Sequence, residues 1–285
     1  MKFINNIYSL EKKNKKKWFF EQFKKLNKHH INNCVEYNKI TKSISNNQFN
    51  IKDTSEFLFL TARIFKDINL ISTKKKNIYK QLTSSGTSQN KKSNIFLDKK
   101  NSKKQIDVLI EIVSNFLSTK KRLPMLVLDS RTIIKNKNSL TARGVGFMGF
   151  SIFGKGITFA FKENMEIDWN AVLEFSNKYK NQDVLVFGLT SVIWKNFLEV
   201  ALKLKKKISL NKSILIHGGG WKKLSEQNIG NEIFKKSYYK IFGSKIIHNY
   251  YGMIEQTGSI FMECEYGYFH TSVYSEIYVR DNNFK

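Results

Sequence analysis

The sequence predicts an α/β protein with at least one largely parallel β-sheet. Short apolar runs alternate with amphipathic helical segments between residues 125 and 252, which is the pattern of parallel strands joined by crossover helices. Glycine-rich turns follow Ser85, His217 and Tyr251. Because ligands of such sheets bind at the carboxyl ends of the strands, we expect a binding site among these turns.

The first part of the chain, residues 11–80, is predicted to be mainly helical. Asp53 and Ser55 are cap-type residues ahead of a broad apolar stripe, which predicts a helix over residues 53–68. Ser102 is the predicted cap of a second helix over residues 102–119, whose apolar residues fall on one face. We divide the chain into a mainly helical N-terminal region, residues 1–80, packed on an α/β core, residues 81–285.

The predicted core alternates strands with helices as an α/β fold requires. Strands are predicted at residues 125–130 (MLVLDS), 183–189 (DVLVFGL), 213–220 (SILIHGGG) and 244–252 (SKIIHNYYG), and helices at residues 168–179, 194–205 and 226–241.

Composition bounds the class of function. The 285 residues are 41% hydrophobic, enough for one large domain or two small ones. The formal net charge of +26 would by itself favour a nucleic-acid or membrane-surface partner. The cations are nearly all lysines spread along the chain, however, and arginine, which recognises bases and phosphates best, is scarce. We therefore expect no nucleic-acid partner.

Cysteine usage and hydropathy indicate a compartment. Cys34 and Cys264 are too few for a disulfide framework, which favours a reducing environment. The N-terminal segment lacks the apolar stretch and cleavage site of a leader peptide, and no window holds the roughly 18 apolar residues that a membrane span needs. These observations predict a cytoplasmic protein without a membrane span.

The stretch QLTSSGTSQNKKS, residues 81–93, gathers small hydroxyl side chains around one glycine and then adds two lysines. Gly86 allows close backbone approach, the neighbouring hydroxyls and amides can donate to phosphate oxygens, and Lys91 or Lys92 can add a positive charge. The spacing is not that of a Walker loop. A polar surface turn is the alternative interpretation, since such clusters are common in loops.

A second glycine cluster is RGVGFMGFSIFGKG. Gly144, Gly146 and Gly149 fit G-x-G-x-x-G, but no strand pattern precedes them and no helix pattern follows, so we reject a dinucleotide site. The following FSIFGKGITFAF predicts strands or a glycine-bent hairpin. The segment serves either tight packing or an apolar substrate pocket, in which its glycines leave space between phenylalanines.

Two further segments carry candidate chemistry. Gly218, Gly219 and Gly220 follow an apolar strand directly and offer bare backbone against which a planar ring can lie; a generous turn is the alternative. Glu255 follows Gly252 in a segment rich in aromatic residues. A carboxylate near a phosphate site can hold Mg²⁺, and a solvated or salt-bridged glutamate is the alternative.

Together these motifs resemble those of the adenylate-forming superfamily. SGTSQNKK at residues 85–92 resembles its S-G-T-T-G-x-P-K phosphate loop, and YGMIE at residues 251–255 resembles its Y-G-x-T-E segment. The similarity is greater to LuxE-type acyl-protein synthetases, long-chain-fatty-acid–protein ligases that share S-x-I-x-L-D at residues 93–98, GGGWK at 218–222 and YGM-x-EQTGSIF-x-ECE-x-GYFH at 251–270. The resemblance covers about residues 80–285.

The resemblance implies a fold, a reaction and a set of site residues. The fold is the large N-terminal domain of an adenylate-forming enzyme, with layered sheets and helices. ATP with Mg²⁺ would activate a fatty acid or another carboxylic acid to an acyl-adenylate, which a protein thiol captures, and an acyl-accepting reductase or carrier protein is the implied partner. The β- and γ-phosphates of ATP would be bound by Ser84, Ser85, Gly86, Thr87 and Ser88. The adenine would be lined by Gly218, Gly219 and Gly220, and the nucleotide would be flanked by Tyr251 and Gly252. Lys92 and Glu255 would be the catalytic residues, with Glu255 also the Mg²⁺ ligand.

The sequence departs from the family pattern in two loops and at its end. Gln89 replaces the loop glycine, and Ile254 replaces the threonine of Y-G-x-T-E. The chain ends at SEIYVRDNNFK, before the segment that in relatives carries the ribose-binding acidic residue, the hinge and the small mobile C-terminal domain. Two functions therefore stay open: an acid–thiol ligase completed by a further part, or a catalytically incomplete remnant that binds nucleotide or a partner.

Overall fold

A computed structural model describes residues 6–44, 51–84, 91–134, 142–220 and 229–282. The chain divides into two compact units. The first, here the core unit, comprises Phe116–Tyr251 and Met262–His270; the second, the flanking unit, comprises Lys2–Asn115, Gly252–Phe261 and Thr271–Lys285. The predicted division at residue 80 stays a prediction.

The helices and strands of the described residues are numbered in chain order. The helices are α1 (Lys12–Asn33), α2 (Val35–Ile44), α3 (Ile64–Asp67), α4 (Lys99–Leu117), α5 (Ala142–Phe150), α6 (Trp169–Tyr179), α7 (Thr190–Ile193), α8 (Glu199–Lys203) and α9 (Asn231–Phe242), with a π-turn at Trp194–Leu198 between α7 and α8. Short 3₁₀ turns lie at Asn6–Tyr8, Thr54–Glu56, Lys75–Asn77, Arg131–Ile134 and Ser151–Phe153. The strands are β1 (Ile78–Thr83), β2 (Asn94–Asp98), β3 (Leu123–Ser130), β4 (Gly154–Phe161), β5 (Val184–Leu189), β6 (Ser213–Gly218), β7 (Ile246–Tyr251), β8 (Phe261–Glu263) and β9 (Phe269–His270).

A seven-stranded sheet organises the core unit, in the order β4-β3-β5-β6-β7-β8-β9. Strands β4, β3, β5, β6 and β7 run parallel, and β8 pairs antiparallel with β9. The apolar runs of β3, β5 and β6 are almost wholly buried, as strands covered on both faces must be. The predicted mixed α/β class with a largely parallel sheet is confirmed, and the four predicted strands are β3, β5, β6 and β7.

Helices flank this sheet and bury aromatic side chains on it. Asp168 caps α6 by accepting a hydrogen bond from the Ala171 amide at 3.1 Å, which is the usual role of aspartate at a helix start. Phe197 of the π-turn stacks on Phe242 of α9, with ring centroids 5.4 Å apart. Gly243 ends α9 in the left-handed conformation, with φ of 76°, where glycine avoids a Cβ clash.

The three glycines of the G-x-G-x-x-G segment lie inside helix α5. Of the two structures predicted for the sequence that follows, strands or a hairpin, it forms a strand, β4, after a 3₁₀ turn. A Cβ on Gly146 would lie 3.2 Å from the Tyr250 hydroxyl and 3.6 Å from the Phe187 ring. The helix therefore uses a glycine to approach aromatic side chains closely, which outweighs the low helix propensity of glycine.

The flanking unit begins with helices α1 and α2, but the helix predicted over residues 53–68 is wrong. Asp53 does cap a turn, since its Oδ1 accepts from the Ser55 amide at 3.0 Å. That turn is a short 3₁₀ segment, and Phe57 follows it with extended backbone, φ −62° and ψ 145°. The buried Phe57 ring packs against Phe23 of α1 at 5.2 Å between centroids, so tertiary packing of one aromatic residue overrides the helical stripe.

Helix α4 and the hairpin β1–β2 complete the flanking unit. The predicted helix exists but begins at Lys99 rather than at Ser102. The Asp98 carboxylate accepts from the Asn101 amide at 2.7 Å and therefore satisfies a first-turn donor. Strands β1 and β2 pair antiparallel, with Thr83 opposite Asn94, and this hairpin was not predicted. Within the described ranges, no helix is long and apolar enough to cross a bilayer.

Candidate functional site

The predicted phosphate loop is flanked by the two strands of the β1–β2 hairpin. The Ser84 amide donates to the Ser93 carbonyl at 3.1 Å, and the Ser93 amide donates to Ser84 Oγ at 2.9 Å. These two hydrogen bonds fix Ser84 against Ser93, the residue that precedes β2. The predicted phosphate-binding residues Ser85, Gly86, Thr87 and Ser88 lie outside the described residues.

A charged cavity of about 660 Å³ lies in the flanking unit. Its walls come from three segments: the end of the loop before β2, the turn that leads into α3 together with α3 itself, and the segment after β7. The lining residues are Ala62, Arg63, Lys66, Asp67, Lys91, Met253 and Glu255. Three cations and two carboxylates face a volume within the range of small-molecule sites.

The ion pairs between the charged side chains of the cavity are long and exposed to solvent. The Asp67 carboxylate lies 3.7 Å from Lys91 Nζ and 3.8 Å from Arg63 Nε. These distances exceed those of a strong charge-assisted hydrogen bond, and the Arg63 and Lys91 side chains are 83% and 77% exposed. Such pairs contribute little to folding, so both cations can turn to an anionic ligand at low cost.

Of the two candidate lysines that follow the predicted loop, Lys91 lines this cavity. Lys92 is exposed, and its main-chain carbonyl accepts a hydrogen bond from the Asn94 side chain at 3.5 Å. A side chain larger than that of glycine would clash at position 252, since a Cβ there would lie 2.8 Å from Ile260 Cγ2. The structure thus brings Glu255 together with Lys91.

The predicted adenine-binding glycines end strand β6 in the core unit. A Cβ on Gly218 would overlap the ring of Tyr250, its cross-strand neighbour on β7. A ring does lie against the bare backbone of Gly218, but it is a side chain of the protein. Gly219 has a φ of 93°, and among the described residues the atoms nearest to a Cβ there belong to Leu189, at 3.7 Å or more. A Cβ on Gly219 would thus make ordinary contacts, whereas one on Gly218 would overlap a ring.

A buried hydrogen-bond chain holds this turn. The Thr190 hydroxyl donates to the Gly218 carbonyl at 3.0 Å, and His217 Nδ1 lies 2.9 Å from the same hydroxyl oxygen. Because a hydroxyl has one proton, His217 Nδ1 must be the donor in the second bond. Burial lowers the pKa of His217 to about 3, with nearby Lys235 acting in the same direction, so the imidazole is neutral at pH 7.

Aromatic packing continues from Tyr250 to helix α5. Phe150 of α5 lies 4.7 Å from Tyr250 and 4.9 Å from Phe187 between ring centroids. Burial raises the pKa of Tyr250 to about 12. At the other end of α5, Arg143 Nη2 lies 3.0 Å from the buried Asp129 carboxylate, which joins the helix to the carboxyl end of β3.

The model of one protein family, described as acyl-protein synthetase, LuxE, matches residues 4–285. The chain belongs to the LuxE acyl-protein synthetase family. Membership implies acyl-protein synthetase activity. No individual curated protein matches the chain.

The structure distributes the LuxE-type motif of residues 251–270 over both units. Tyr251 and the segment Met262–His270 belong to the core unit, whereas Gly252–Phe261, with Glu255, belongs to the flanking unit. The glycine turn after β6 belongs to the core unit and the hairpin β1–β2 to the flanking unit. That these segments bind one nucleotide stays a prediction.

Sequence reasoning missed the cavity residues of the RIFKD segment. Arg63, Lys66 and Asp67 are three and four positions apart, a spacing that places side chains on one face of a helical turn. This spacing could have been noticed, but a charged helical face is usually a solvated one. What gives these charges a candidate function is their position beside Glu255, which lies far away in the sequence.

Proposed function

We propose that this chain activates a fatty acid with ATP and passes the acyl group to a protein thiol. The fatty carboxylate attacks the α-phosphate of ATP, forming an acyl-adenylate and releasing pyrophosphate. A thiolate then attacks the acyl carbon, forming a thioester and releasing AMP. The acceptor in this proposal is a reductase or carrier protein, as the family resemblance implies.

The observation that carries the proposal is the position of Glu255. In a YGMIE segment that resembles Y-G-x-T-E, this glutamate lines a cavity together with Lys91, the first lysine after the predicted phosphate loop. One residue from each of two motifs that are far apart in sequence therefore lines the same cavity, which supports a shared phosphate site. An attacking carboxylate and a triphosphate repel each other, and cations at such a site offset that repulsion.

The donor set of the cavity fits Mg²⁺ held with a polyphosphate. Mg²⁺ prefers oxygen ligands and usually binds through one or two carboxylates, phosphate oxygens and water. Glu255 would hold it, and the described part of the chain contains no cluster of three or more His, Cys, Asp or Glu side chains that would bind a metal by itself. When bound, Mg²⁺ neutralises charge on the phosphates. Lys91, which follows the predicted phosphate loop, would bind the remaining phosphate oxygens.

The nucleoside side of the proposal uses the carboxyl ends of β6 and β7. Gly219 and Gly220 would face the adenine, since Tyr250 already covers Gly218, and Tyr251, a half-exposed aromatic residue at the end of β7, would flank it. Planar rings stack readily on peptide and aromatic surfaces. We accordingly assign the chain to the large domain of the adenylate-forming fold.

Pyrophosphate exchange tests the proposal. The purified chain is incubated with ATP, Mg²⁺, tetradecanoic acid and labelled pyrophosphate, and label entering ATP is measured. We expect Glu255→Gln and Gly86→Asp to lower exchange by about 10²-fold or more. Glu265→Gln is the matched control, because Glu265 lies in the same motif and is exposed.

The outcomes separate the two functions that the sequence leaves open. Exchange that depends on the fatty acid and is lost in Glu255→Gln supports the ligase. ATP binding without exchange in the wild type favours the nucleotide-binding remnant. Equal exchange in wild type, Glu255→Gln and Gly86→Asp would refute the proposed site.

A further inference from the structure

Four of the seven residues that line the charged cavity, Ala62, Arg63, Lys66 and Asp67, come from the turn before α3 and from α3 itself. This segment precedes the part of the chain that carries the nucleotide motifs. The fourth wall residue, Asp67, is engaged with cations from two walls, its own Arg63 and Lys91. The helical segment is therefore part of the same charged site as Glu255.

The charges of the cavity favour an anion with several phosphate groups. Arg63, Lys66 and Lys91 outnumber the carboxylates of Asp67 and Glu255, so the cavity is net positive. Its volume of about 660 Å³ exceeds what one phosphate group fills, and the cations come from different segments rather than from one. Arginine suits paired phosphate oxygens because its guanidinium donates in a fork.

We infer that Arg63 and Lys66 bind the triphosphate of the nucleotide from the α3 side of the cavity. This inference rests on the proposed function, and it assigns a ligand-binding role to a segment that the sequence predicted as structural. Asp67 acts as a positioning residue, since its carboxylate lies between Arg63 and Lys91. In the absence of metal it also repels the phosphates.

Titration calorimetry with two probes tests this inference: ATP with Mg²⁺, and inorganic tripolyphosphate without metal. We expect Arg63→Ala and Lys66→Ala each to weaken binding of both probes about tenfold, the effect of roughly one charge-assisted contact. Lys66→Arg, which keeps the charge, should retain most of the affinity.

Matched controls remove the effect of overall charge, which matters for a chain of net charge +26. Lys236 and Lys203 each form an (i,i+4) ion pair on an exposed helix face, with Glu232 at 2.6 Å and Glu199 at 3.1 Å. Arg63 and Asp67 form an ion pair of the same spacing. Lys236→Ala and Lys203→Ala should change both affinities less than about twofold.

Asp67→Asn should change the binding affinity in the opposite direction to Arg63→Ala and Lys66→Ala. Removing this carboxylate should increase the affinity for tripolyphosphate without metal about two- to fivefold, because a charge that repels the phosphates is lost. A variant that merely damaged the fold would weaken binding instead. Retained melting temperatures in all variants, read by circular dichroism, complete the comparison.

The outcomes distinguish this inference from the proposed function. If Arg63→Ala and Lys66→Ala bind both probes as tightly as Lys236→Ala and Lys203→Ala, the inference is wrong while the ligase proposal stands. If the wild type binds tripolyphosphate but not ATP, the proposed function fails, and so does the assignment to a nucleotide. If the wild type binds neither probe, both are wrong.

Discussion

Lys235 Nζ lies 2.7 Å from Glu263 Oε1, an ion pair in which the glutamate side chain is 1% exposed and the lysine side chain 25% exposed. Asn231 Nδ2 donates to the same carboxylate oxygen at 2.5 Å. The main-chain carbonyl of Glu263 accepts from His248 Nδ1 at 3.0 Å. One residue of the motif segment therefore joins strand β8 to helix α9 and to strand β7.

Removal of the lysine should destabilise the core unit. In Lys235→Met the Glu263 carboxylate loses its cation while staying buried, which costs about 3 kcal/mol or more in free energy of unfolding. Urea denaturation followed by fluorescence measures the change. We expect a clearly lower midpoint than in the wild type.

The double variant Lys235→Met, Glu263→Met provides the control. It removes the pair rather than stranding one charge, so its loss of stability should be smaller than the sum of the two single losses. Additive losses would mean that the ion pair is not the source of the effect.

A second prediction concerns the stability effect of a substitution in the glycine turn after β6. In Gly218→Ala the new methyl group overlaps the Tyr250 ring, so the ring or strand β6 must shift at a cost of about 1–3 kcal/mol. Gly230→Ala is the matched control, because a Cβ there meets no described residue within 4 Å and the backbone φ is −95°. Thermal unfolding should show a lower melting temperature for the first variant and little change for the second. Equal melting temperatures would contradict the packing of Tyr250 on Gly218.

The central strands β3, β5 and β6 of the core unit were predictable because they are almost wholly buried. Continuous apolar runs such as VLVFGL of β5 and SILIHG of β6 give a signal that needs no knowledge of neighbours. Strand β1, IYKQLT, is mostly exposed, and its conformation depends on pairing with β2. Sequence periodicity therefore gave no sign of this hairpin, although it flanks the predicted phosphate loop.

The residues of the candidate site were likewise only partly predictable from the sequence. Glu255 was predicted from its motif, whereas Arg63 and Lys66 belong to the cavity only because the fold brings α3 beside the segment after β7. The three glycines after β6 were predicted to share one role, yet Tyr250 covers Gly218, whereas a Cβ on Gly219 would make only ordinary contacts with Leu189 among the described residues. Such differences arise from tertiary contacts between distant residues, which spacing along the chain does not encode.

Acid should destabilise the chain through His217. Its pKa is about 3 in the folded chain, against an ordinary value of 6.5, so between these values the unfolded state binds a proton that the folded state does not. Stability is therefore fully present above pH 6.5 and falls as the pH drops toward 3, by up to about 1.4 kcal/mol per pH unit for this group. Urea midpoints measured from pH 7.5 to pH 4.5 test the slope.

A non-titrating variant isolates the contribution of this histidine. In His217→Asn the amide nitrogen can take the place of Nδ1 and donate to Thr190, so the pH slope should become shallower. It should not vanish, because burial also lowers the pKa of His248. An unchanged slope in His217→Asn would contradict the assignment.

The last prediction concerns how affinity for the acid substrate of the proposed reaction depends on its chain length. The sequence leaves tight packing and an apolar substrate pocket open for the phenylalanines in and after α5. Among them, Phe147 packs on the half-buried Phe159 at 5.4 Å between ring centroids. If the acyl chain binds among these rings, affinity should rise about fourfold for each added CH₂, or about 0.8 kcal/mol, until the chain outgrows the space. Competition between butanoate and tetradecanoate in the pyrophosphate-exchange assay measures this preference. Phe159→Ala should weaken tetradecanoate more than butanoate, because only the longer chain reaches the ring, whereas Leu173→Ala, a change at an exposed residue of α6, should weaken neither. Equal competition by the two acids in the wild type would show that these rings serve packing alone.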